Sequence, residues 1–155
     1  FDTKRGTFTQ SYGSPNVDAS LLMIPLVGFL PANDVRVAGT VRAIEGDLTT
    51  DAYVLQYRTE ESVDGLPPGE GAFLLCSFWL ADNYALAGRT EEARELFEHL
   101  LTLTNDVGLL VEEFGPSDHR MLGNFPQAYS HVGLVNTALN LTPRNLAPAE
   151  DRKRS

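Results

Sequence analysis

Hydrophobic and polar positions follow two rhythms along this chain. From Val17 to about Leu30 apolar side chains fill nearly every position (Leu21, Leu22, Met23, Ile24, Leu26, Val27, Phe29). From Gly71 to Ala87 they do so again (Phe73, Leu74, Leu75, Cys76, Phe78, Trp79, Leu80, Tyr84, Leu86). After each such run they return only every three or four residues: Val37, Val41, Ile44 and Leu48, then Ala93, Leu96, Phe97, Leu100 and Leu101. The first rhythm predicts a helix buried all round, the second a helix with one face on a core. Ser14 before Pro15 is a start signal for the first helix, and Pro25 should kink it. Asp34 caps the second helix and Thr90 the fourth, with Glu91 and Glu92 in its first turn, while Gly88 ends the third. Asn124 and Gln127 form an N-x-x-Q capping box for a last helix ending near Leu141. Residues 1–14 read as an extended loop with a short strand around Thr7–Gln10. The pattern as a whole predicts an all-α fold of about five helices in two layers, with negligible sheet.

Composition narrows the function classes. The chain has 155 residues, of which 43% are hydrophobic and 21% charged, enough for one domain with its own core. Twelve basic against twenty-one acidic side chains give a net charge of −9, which repels phosphate backbones and anionic lipid. Nucleic-acid and membrane-surface readings are set aside on that ground. A single cysteine, Cys76, allows no internal disulfide, and its apolar setting predicts an inert buried thiol. No stretch approaches the length of a membrane span and no leader is visible, so a cytoplasmic setting is expected. The start, Phe1 without a Met, reads as internal to a longer chain. His99 and His131 have no second ligand at metal-binding spacing, so neither a metal nor a cofactor is expected.

The segment richest in chemistry runs from Asp106 to His131, DVGLLVEEFGPSDHRMLGNFPQAYSH. An acidic pair, Glu112 and Glu113, follows an apolar run and precedes a polar loop, beyond which Gly123-Asn124-Phe125-Pro126-Gln127 opens a helix. A carboxylate at the mouth of a helical core suits hydrolysis of a glycosidic bond, because a water must be deprotonated beside a sugar ring. A solvated acidic pair at a loop entrance is the bland alternative, and composition alone would favour it. Two neighbouring carboxylates cannot both face one sugar, so one of the pair is expected to orient rather than react.

The wording of this segment resembles the C-terminal part of the glucoamylase-like and bacterial trehalase-like enzymes of glycoside hydrolase family fifteen. Further blocks carry the likeness in order: Gln10-Ser11-Tyr12-Gly13, Asp18-Ala19-Ser20-Leu21-Leu22, Gly28-Phe29-Leu30-Pro31 and residues 69–79, GEGAFLLCSFW. The resemblance implies a partial α/α toroid: six hairpins make a closed ring of twelve helices, and five helices form only its C-terminal portion. Residues 1–141 would be that portion and 142–155 a flexible polar tail, with the missing N-terminal helices of the parent domain as partner. It also implies an inverting mechanism with two glutamates, on an α-glucoside such as trehalose or an α-glucan oligosaccharide. The general base corresponds to Glu112. The general acid belongs to a Trp-Glu motif found nowhere here, so this chain by itself is expected to be inactive.

The resemblance assigns other residues less directly. Glu113 and Ser130 would orient the base, Ser130 as a hydrogen-bond donor to it. Phe73 lies near where the family carries an aromatic beside its sugar pocket. Glu70 could contact sugar hydroxyls or simply cap the following helix through its dipole. Gln56 and Tyr57 stand where the family has an Arg-Tyr pair that holds the innermost sugar; glutamine loses the charge-assisted bond unless Arg58 replaces it. Phe78 and Trp79 could form a stacking platform, although mid-helix core packing is the simpler expectation. A reading from another class is a tetratricopeptide-like protein-binding scaffold, since residues 78–97 have the Trp, Tyr, Gly, Ala and aromatic spacing of one such repeat. No second copy follows at the required period of about 34 residues.

Overall fold

The computed structural model describes residues 1–58 and 71–142. It is mainly helical. A 3-10 turn, Ala19–Leu22, leads into α1 (Met23–Leu26); α2 spans Val35–Leu48, α3 Leu74–Leu86, α4 Thr90–Leu101 and α5 Ala128–Asn140. Two small antiparallel sheets accompany them. One is the hairpin β1 (Thr49–Thr50) with β2 (Tyr53–Val54). The other has the order β3 (Ala72–Phe73), β4 (Glu113–Gly115), β5 (Arg120–Leu122). No helix among the described residues is long and apolar enough to cross a membrane.

α3 is the hub. Nine of its residues are buried, including Leu74, Phe78, Leu80, Asp82 and Asn83, which is what its all-round apolar pattern predicts. It packs against α4, α5 and the 3-10 turn. Three polar side chains inside this packing find partners, as burial favours, although Asn83 Oδ1 has none among the described residues. Asn83 Nδ2 donates to Leu22 O (2.9 Å), Ser77 Oγ accepts from Val54 N (2.9 Å), and Asn140 Nδ2 donates to Asp82 Oδ1 (3.0 Å). Each bond joins α3 to a different element. Burial pushes the Cys76 thiol pKa far up, in keeping with an inert side chain. α2 and α4 are amphipathic as expected, with Val37, Ile44 and Leu48 buried on one and Ala93, Leu96 and Leu100 on the other. Asp34 caps α2 by accepting from Arg36 N (2.9 Å).

Several expected boundaries move, each for a local reason. The first helix is not a long buried rod from Val17 to Leu30. Asp18, not Ser14, caps it, by accepting from Ser20 N, and it ends at Leu26 before Gly28 turns with φ +76°. Ser14 instead accepts from Asn16 N in the loop (3.1 Å). Val27 and Phe29 are largely exposed, at 56% and 72%, so that run is apolar without being covered. α3 begins at Leu74 because Ala72 and Phe73 are spent on the ladder with Phe114 and Glu113. Thr90 is the first residue of α4 and Arg89 precedes it; the Arg89 guanidinium bridges Glu92 and Glu45 and lies 3.9 Å over the Tyr84 ring. The strand expected around Thr7–Gln10 reduces to one bridge between Asp2 and Thr7. Residues 59–70 and the tail after 142 lie outside the described residues.

Contact between α3 and α5 depends on Gly133. A Cβ there would come within 2.9 Å of Phe78 Cδ2 and 3.0 Å of Leu75 Cδ1. α5 also leaves Tyr129, Val132, Val135 and Leu139 largely exposed. Gly133→Val should therefore overpack the seam and lower the free energy of unfolding by about 1–3 kcal/mol in urea titrations. Val135→Thr at an exposed position should change it by less than about 0.5 kcal/mol.

Candidate active site

The stretch 110–113 passes the N-terminal ends of α3 and α5, and each of its residues is tied down there. Gln127 N donates to Leu110 O (3.0 Å) and Glu112 N to Asn124 O (3.0 Å). Ser130 Oγ, fully buried in the first turn of α5, donates to Val111 O (2.7 Å). Leu74 N, the first amide of α3, donates to Glu112 O (3.1 Å). From Glu113 the chain becomes β4 and pairs with β3 on one side and β5 on the other. The segment thus lies where two helix N-termini offer amides that have no partner inside their own helices.

The two glutamates part company at this point. Glu112 is half-buried, and its Oε2 accepts two bonds from Asn124, one from the backbone N (2.8 Å) and one from Nδ2 (2.9 Å). Its other oxygen takes no donor from the described residues. Glu113 reaches toward β3, where its Oε2 accepts from Gly71 N (3.2 Å). Adjacent side chains at a strand entrance leave on opposite sides, and the pair therefore cannot share one ligand.

Gly123 makes the close approach to Glu112 possible. Its φ is +74°, and a Cβ would stand 2.6 Å from Glu112 Oε2 and 2.8 Å from Glu112 Cβ. Any side chain at 123 would both strain the backbone and displace the carboxylate.

Of the remaining sequence candidates, Ser130 lies one peptide from Glu112, but its single hydroxyl proton goes to Val111 O, so the donor to the carboxylate is Asn124 instead. Asn124 does not cap α5. Gln127 is the capping residue, its side chain accepting from Tyr129 N, and α5 starts at Ala128. Phe73 is brought directly opposite Glu113 in the ladder and packs against the core. Gln56 is exposed and gives its carbonyl to Ala19 N (2.8 Å). Tyr57 lines a polar cavity of about 260 Å³ with Arg5, Gln10, Asn16 and Arg58; Glu112 is not part of its wall. Glu70 lies outside the described residues. Trp79 packs partly against the core, and the His99 ring lies 5.1 Å from that of Tyr53, tilted by 45°.

Comparison with known proteins agrees on one family. Residues 1–139 match the model of the glycosyl hydrolases family 15. The trehalase of Mycolicibacterium smegmatis is 46% identical over 138 residues, covering 89% of this chain and 21% of that protein. The trehalase of Thermoplasma volcanium is 43% identical over 141 residues, covering 91% of this chain and 22% of that protein. The chain therefore spans about a fifth of the length of these curated relatives. A solved glycosidase superimposes with a TM-score of 0.72 at 26% identity, over 88% of this chain and 38% of that one.

Gly123→Ala should cost about 1–2 kcal/mol from the left-handed backbone alone. It should also shift the carboxyl-carbon resonance of Glu112 while leaving that of Glu113 near its original position. Denaturant titration and carbon-detected NMR on the same sample would check both, and equal shifts at the two glutamates would count against the anchoring described.

Proposed function

The chain belongs to the glycosyl hydrolases family 15, and we propose that it is the C-terminal portion of an α/α-toroid enzyme that hydrolyses α-glucosidic bonds, with Glu112 as general base. The observation that carries this reading is the half-anchored carboxylate. Asn124 fixes one oxygen of Glu112 with two N–H donors, and the other oxygen is left to accept a proton. In an inverting mechanism a water lies between this oxygen and the anomeric carbon, and the two carboxyl groups stand about 6.5–9.5 Å apart. The water's proton passes to Glu112 as its oxygen attacks. The partner acid protonates the leaving oxygen from the opposite face, and it would come from helices that this chain does not contain.

The sugar is proposed to lie against the N-terminal mouth of α3 and α5. Glu113 and Ser130 hold the base there through the backbone and do not touch the substrate. Glu113 fixes β4 against Gly71, and Ser130 fixes the peptide before Glu112. Phe73, Tyr57, Gln56 and Glu70 remain proposed sugar contacts. The relatives named as trehalases favour trehalose over longer α-glucans as the first substrate to test. The remaining helices of the toroid would cover the exposed apolar face of α5 and supply the acid. The present chain alone is therefore proposed to be inactive.

Glu112→Gln in the full-length protein should keep fold and sugar binding and lower kcat on trehalose by at least about 10²-fold. Glu113→Gln should do less, because it acts through position. Glucose release from trehalose, maltose and isomaltose is the measurement, with azide added to test rescue of the first variant. A fully active Glu112→Gln beside a dead Glu113→Gln would move the base by one residue. Two active variants, or a wild type inert on all three sugars, would remove the reading.

A further inference from the structure

We infer that His131 is a positioning residue for the base segment, working as a hydrogen-bond acceptor that locks Leu110 and, through it, the carboxylate of Glu112. The inference rests on the assignment of Glu112 as the base.

The geometry around the ring is closed on both sides. Nδ1 lies 2.7 Å from the carbonyl oxygen of Gln127, the capping residue four positions back. A carbonyl can only accept, so Nδ1 carries the proton and Nε2 keeps its lone pair. Nε2 in turn faces the backbone N–H of Leu110, which donates to it at 3.3 Å. The carbonyl of the same residue accepts from Gln127 N. Leu110 therefore has both of its polar backbone groups on the cap and first turn of α5, and its side chain is fully buried in the core. It forms no part of β4, so this pairing replaces the ladder bonds that a strand would have supplied.

Three consecutive residues are thus held by one helix start and the turn before it: Leu110 by His131 and Gln127, Val111 by Ser130, and Glu112 by Asn124. Without the acceptor at 131, Leu110 N–H would be orphaned in a region closed to water. The strand entrance would shift to satisfy it, and the carboxylate two residues on would move with it. A misplacement of about 1 Å can cost about 10²-fold in rate without loss of binding. Glutamine places its Oε1 close to where Nε2 lies and accepts without a ring, whereas alanine and leucine offer no acceptor.

The test is a variant series in the full-length protein, read by trehalose hydrolysis and by amide hydrogen exchange. His131→Ala should lower kcat by about 10-fold or more with KM within about twofold, and should speed exchange at the Leu110 amide. His131→Gln should recover most of both. His131→Leu keeps bulk without an acceptor and should behave like alanine. In the Glu112→Gln background the change at 131 should have little further effect, because the group it positions has already lost its role. Unchanged kcat in His131→Ala, or a glutamine variant that folds yet stays as impaired as leucine, overturns the inference. So does a full multiplicative loss in the double variant. A near-normal Glu112→Gln would instead sink the base assignment itself, so the two failures are told apart.

Discussion

A chain segment inside a protein needs partners for its N–H and C=O groups, and residues 110–113 find most of theirs without belonging to a helix. That requirement organises the site. The amides left over at the starts of α3 and α5 are the natural partners, and the segment runs where both are within reach. The arrangement serves two needs at once. Helix ends that would otherwise need their own caps are partly satisfied, and a carboxylate is delivered to the mouth between them. The position of Glu112 then follows from backbone pairing more than from any contact of its own methylene groups.

α3 makes this possible because it is covered from several sides. Its side chains meet α4, α5 and the 3-10 turn, and the polar ones are tied to Leu22, Val54 and Asn140. A helix fixed along its whole length gives its first amide, Leu74 N, a fixed position as well. α5 is held less symmetrically. It lies tight on α3 at Gly133 yet turns Tyr129, Val132, Val135 and Leu139 outward. The N-terminal end of α5 is therefore set by its seam with α3 and by the bonds to residues 110–112.

Much of this was legible in the sequence because helices announce themselves by period. α2, α3, α4 and α5 all lie within a few residues of where their apolar spacing put them. The first helix was overextended, because an unbroken apolar run looks the same whether its residues are covered or, like Val27 and Phe29, left outside. Strands of two or three residues have no period to detect, so β3, β4 and β5 left no trace in the pattern. The opposed directions of Glu112 and Glu113 were foreseeable from the backbone alone. The role of Asn124 was not. Its spacing from Gln127 matches a capping box, a local signal, while its actual partner stands twelve residues earlier and depends on how β4 and β5 fold back. The tetratricopeptide-like spacing of residues 78–97 marks the single α3–α4 hairpin.

A free carboxylate has two equivalent oxygens and can turn either toward a water. Glu112 cannot, because Asn124 claims Oε2 with a fork of two donors over a glycine that admits no side chain. The group has been made one-handed. For the base proposed here, that handedness fixes which oxygen meets the water. It is written in the Gly123-Asn124 backbone rather than in the glutamate.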